Sequence, residues 1–152
     1  MPSPTKPEAS PEIPADGVEF ELTLAKVPDA IEMVRSDGYN PRGWKYKGKG
    51  TAMGTRRFKL ARIGHYADLE EVKQKLGSYT LEGQWREAFK QSFPRSDGQG
   101  AIGFADDSWG GPDGHTVFPV LYGLGRTWNS SFDWAGSPSR RRWRWRWLVP
   151  CR

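Results

Sequence analysis

Cysteine is almost missing from this chain. Cys151 stands alone, so no intrachain disulfide can form and no cysteine-based zinc site exists. That economy suits a reducing compartment. The amino terminus also shows no cationic-then-apolar leader pattern, and no apolar run approaches the length of a transmembrane segment. The expectation is therefore a cytoplasmic protein. Histidine is nearly as scarce, with His65 and His115 alone. No GxSxG nucleophile elbow occurs, and Gly48-Lys49-Gly50 is not a P-loop because GxxxxGK[ST] is absent. No cofactor is implied.

Aliphatic residues are also few, and aromatic ones take their place. Hydrophobic residues make up 36% of the 152, yet aromatics reach 13% and include eight tryptophans. Each buried ring removes roughly 150–250 Å² from water, so a few large rings can build a core. The length fits one domain. Eighteen glycines and twelve prolines favour many turns and short elements. Five of those prolines fall in residues 1–16, which hold almost nothing apolar. That stretch is expected to be a disordered arm preceding a single domain over 17–152.

The periodicity then alternates in type. Val18, Phe20, Leu22 and Leu24 alternate with polar residues, as in a half-buried strand. A turn-rich basic loop follows, with a short hairpin strand expected at Trp44–Lys47 and a further strand at Arg57–Ile63. Asp68 opens a capping box with Glu71, ahead of the stripe Leu69, Val72 and Leu76. A second helix is expected over Glu82–Ser92, closed by Pro94. Strand-like runs return at Ala101–Ala105, Thr116–Tyr122, Trp128–Trp134 and Arg142–Val149. This order predicts an α+β fold, with a largely antiparallel sheet of about five to seven strands and two helices.

Charge is unevenly spread. Residues 35–62 carry nine Lys/Arg against one Asp; residues 63–113 carry five against nine Asp/Glu; residues 114–152 carry seven Arg against one Asp. If the two basic segments met in space, they would form one cationic face suited to anionic partners. The closing run is the sharpest pattern. Trp143, Trp145, Trp147 and Val149 alternate with Arg142, Arg144 and Arg146, which predicts a strand with an indole face and a wet arginine face. Rings on the preceding strand, Trp128, Phe132 and Trp134, are the expected packing partners.

The leading expectation is a non-enzymatic module that binds a polyanion, nucleic acid above all. Arg42, Lys45, Lys47, Lys49, Arg56 and Arg57, with Arg142, Arg144 and Arg146, would contact phosphate, while Trp44 and Tyr46 would stack on bases. Two other classes remain open. One is an interaction protein that packs an aromatic surface against another subunit. The other is a metal-dependent nuclease using Asp106, Asp107 and His115, with His65 as a further candidate, since two carboxylates and an imidazole are adequate ligand types.

Overall fold

The last strand of the chain lies in the middle of the sheet. The computed structural model describes residues 11–64, 68–76, 81–136 and 144–151, among which there are three helices and eight strands. The strands are β1 (Phe20–Leu24), β2 (Lys45–Tyr46), β3 (Gly54–Ala61), β4 (Ile102–Gly103), β5 (Trp109–Gly110), β6 (Thr116–Leu124), β7 (Thr127–Trp134) and β8 (Arg146–Pro150). They form one mixed sheet in the order β1-β3-β8-β4-β6-β5-β2, with β7 paired to β6. Every described pairing is antiparallel except β4 with β8. The expected α+β fold with a mostly antiparallel sheet is what the chain adopts.

Each helix begins where its residues dictate. In α1 (Ala30–Ser36) the Asp29 carboxylate accepts hydrogen bonds from the amides of Ile31 and Glu32. In α2 (Leu69–Lys75) Asp68 accepts from the Glu71 amide, the cap expected from the sequence. The helix α3 (Trp85–Ser92) stops before Pro94, and the Trp128 indole donates to the Phe93 carbonyl at 2.7 Å, satisfying one of the orphan acceptors there.

Both faces of the central strands are covered. On one face α3 packs Trp85, Ala88 and Phe89 against Leu22, Phe58, Ile102, Leu121 and Leu148. On the other face α2 sets Leu69 and Val72 against Phe118, Val120, Trp145 and Trp147. A third cluster joins Met33 and Val34 of α1 to Trp109 and Phe132, and the Trp109 indole donates to the Ala30 carbonyl. Double coverage explains why Trp145, Arg146, Trp147, Leu148 and Val149 are all buried in succession.

This arrangement corrects several expectations. Of the arginines expected on a wet face, Arg146 is 2% exposed because β8 is an inner strand, whereas Arg144, ahead of the strand, is exposed. The neighbours of β8 are β3 and β4; the rings described against Trp145 are Phe118 and Tyr122 of β6 and Trp147 of β8, while Trp128 and Phe132 of β7 lie in the other two clusters. The helix α1 and strand β5 are additional to the expected elements. The segment Lys45–Tyr46 pairs with β5 rather than forming a hairpin of its own. Of the expected arm, residues 1–10 lie outside the described residues. Within 11–16, Ile13 packs on the core and Asp16 pairs with Arg62 at 2.7 Å.

Candidate functional site

The segment from Arg42 to Lys49 alternates inward and outward. Trp44 and Tyr46 point into the third cluster. Trp44 lies 5.3 Å from both Tyr39 and Phe132, and Tyr46 lies 4.8 Å from Trp109, between ring centroids. The Tyr46 hydroxyl accepts from the Gly50 amide and the Gln84 side chain, both at 3.0 Å, which pins the following loop to the start of α3. That loop passes so close to the ring that a Cβ at position 48 would sit 2.4 Å from the Tyr46 oxygen. A side chain there would force the Tyr46 ring to move off its hydrogen bonds.

Arg42, Lys45, Lys47 and Lys49 are exposed, and none has an ion-pair partner among the described residues. The other cations expected at the site are differently placed. Arg56 pairs with Glu82 at 3.0 Å, and Arg57, on the opposite face of β3, pairs with Glu19 at 3.5 Å. Glu82 precedes the Gln84 that holds Tyr46, so Arg56 reaches the same end of α3 as the lysine segment. Arg144 is exposed beside Arg62, whose guanidinium donates to its carbonyl, at the far end of β3. Arg142 lies outside the described residues. The two basic stretches therefore do not form a common face among the described residues.

Arg146 is committed inside the protein. Its guanidinium donates two hydrogen bonds to Asp97, at 2.6 and 2.8 Å, and its Nε has no acceptor among the described residues. Partial burial acts to raise the Asp97 carboxyl, but the bonds from Arg146 and from the Gln99 amide outweigh it and hold the pKa below its ordinary value. A second buried guanidinium escaped notice in the sequence. Arg86 is 0% exposed and places all five of its donors, on Asp37, Glu87 and the Ser131 carbonyl. Burial raises the Asp37 carboxyl above its ordinary value despite the Arg86 charge.

The acidic candidates disperse. Asp106 turns inward, accepting from the Gly83 and Ser108 amides and the Ser108 hydroxyl, and burial raises its pKa above that of a free carboxylate. Asp107 points outward, 3.8 Å from Lys73. His115 lies beyond β5, its ring 4.6 Å from that of Trp134. No group of three or more metal-ligating side chains occurs among the described residues, so Asp106, Asp107 and His115 do not make a metal centre. His65 lies outside them.

One ring expected in the packing of the last strand is largely at the surface. Trp134 is 45% exposed and lies tilted against His115 at the end of the 111–115 turn. Pro112 of that turn abuts Gly43, 3.0 Å from where a Cβ would stand, so the turn adjoins the Arg42 segment. Alternation had placed Trp134 on the same strand face as Trp128 and Phe132, but nothing in the pattern showed that the face ends before it. No helix among the described residues is long and apolar enough to cross a membrane. No protein-family model, curated protein or solved structure matches the chain.

Proposed function

We propose that the protein binds a phosphate-bearing polyanion, nucleic acid in the first instance, along the edge formed by Arg42, Lys45, Lys47 and Lys49. One observation carries this reading: four cations stand on eight consecutive residues with no carboxylate to neutralise them among the described residues, while the other described cations of the expected site are paired or placed elsewhere. An ammonium already paired with a carboxylate gains little from phosphate; an unpaired one gains the full counterion release.

The inward rings narrow the chemistry. With Trp44 and Tyr46 packed on Phe132 and Trp109, base stacking falls away as the main source of affinity. Binding then reads backbone charge and tolerates sequence, with Trp134 as the accessible ring beside it.

A salt titration with a labelled single-stranded and a labelled duplex oligonucleotide tests the reading. Four phosphate contacts predict that log Kobs falls with log salt at a slope of about −3. Replacing Lys45, Lys47 and Lys49 with serine should flatten that slope by two units or more. A slope unchanged by the replacement overturns the proposal. Self-association of the triple variant, with no oligonucleotide binding by the unaltered protein, would instead show that these lysines guard an edge strand against pairing.

A further inference from the structure

At the opposite end of α3 from the lysine segment the chain folds a polar hollow of about 530 Å³. Residues 11–13 wall one side, the loop from Arg95 to Gln99 a second, and Arg126 at the β6–β7 turn a third. The Ser96 amide donates to the Arg126 carbonyl at 3.1 Å, which fixes the two arginine-bearing segments next to each other.

The charges in this hollow are not balanced by each other. Arg95 and Arg126 are exposed and have no ion-pair partner among the described residues, although Glu12 and Asp97 line the same space. Asp97 is already taken by the buried Arg146. Two guanidinium groups thus face Glu12 alone, leaving one net positive charge. Ser96 fixes the floor of the hollow rather than adding a donor to it: it is 5% exposed, its Oγ accepts from the Gly98 amide, and a Cβ at Gly123 would lie 2.3 Å from that oxygen.

We infer that this hollow is a second anion site, one that takes the phosphate group of a phosphate ester between Arg95 and Arg126. Planar guanidinium forks match phosphate oxygens two at a time, and the two here are held side by side by the Ser96–Arg126 backbone bond. The site does not rest on the lysine edge, from which the length of α3, about 12 Å, separates it.

The same chemistry is offered by a free phosphate monoester and by a nucleic-acid backbone, so the test carries three probes. Inorganic phosphate, a nucleoside monophosphate and a dinucleoside phosphodiester with hydroxyl ends are each titrated into the full chain, with binding read by calorimetry and amide chemical shifts. Saturable binding of at least one, with shifts centred on residues 95–99 and 126, is the expected result. The double change Arg95→Ala with Arg126→Ala should weaken it at least tenfold, and the Lys45, Lys47 and Lys49 replacement should leave it unchanged. Binding by the first two probes alone identifies a monoester ligand; binding by the diester as well identifies a backbone. No saturation with any probe, shifts centred elsewhere, or a double variant that binds as the parent does would overturn the assignment.

Discussion

Gly103 and Trp147 are direct neighbours across the parallel pair β4–β8, and the indole fills the space that a side chain at 103 would need. A Cβ there would lie 2.4 Å from the Trp147 ring. Trp147 is 0% exposed, packed against Phe118 and Trp145, so it has nowhere to retreat. Gly103→Ala should therefore destabilise the fold by about 2–3 kcal/mol, the upper part of the range for overpacking a well-filled core. Urea unfolding followed by tryptophan emission measures it, and a loss under half a kcal/mol would contradict the packing described.

The Asp97–Arg146 pair predicts a pH signature. Because the folded carboxyl is held below the ordinary value of about 3.9, its stabilisation is complete above that pH and disappears as pH falls through the lowered value. Asp97→Asn should cost most near neutrality, and the difference from the parent should close in strong acid. Asp106 behaves oppositely. Its raised folded value makes its contribution greatest below pH 3.9 and diminishing as pH rises, so the two asparagine variants should diverge in the sign of their pH slope.

Arg86 is a stronger case of the same chemistry. Arg86→Lys keeps the charge but supplies three donors where five are used, and it cannot span Asp37, Glu87 and the Ser131 carbonyl together. A loss of about 3 kcal/mol is expected, at the lower end of the range for breaking a buried pair. Thermal melting of Arg86→Lys beside Asp37→Asn checks it; a lysine variant as stable as the parent would show that the network is dispensable.

Binding variants should separate by their partners rather than by their charge. Arg57→Ala removes a cation already matched by Glu19, and should leave oligonucleotide affinity within about twofold, as expected for an exposed pair worth 0–1 kcal/mol. Lys47→Ala removes an unmatched one and should lower the salt slope by about one unit. Equal effects from both would mean that net charge, not the edge segment, governs binding.

Periodicity recorded which way each side chain points, but not what lies over it. Trp145 and Trp147 do face opposite Arg146, as the alternation required; that β8 would be an inner strand depends on β3 and β4, whose paired residues lie 86–92 and 44 positions earlier. The same blindness affects Arg86 and Asp37, which meet across 49 positions and leave no local mark. Caps are local, which is why Asp68 and Pro94 delimited their helices correctly. The seven-residue α1 had a comparable signal in Asp29, but its surroundings of proline, glycine and serine hid it. Of the candidate site, the lysine spacing on 45–49 was legible, whereas the burial of Trp44 and Tyr46 was not.

Because β8 sits between β3 and β4, the two halves of the sheet share no seam of their own until residues 146–150 are in place. A ribosome-bound chain that has exposed everything up to β7 would hold two unfinished half-sheets, each with an apolar border open to misassociation. Folding of this protein must therefore wait for nearly the whole of the described chain to emerge, and any cut ahead of Arg146 removes the keystone rather than a fringe.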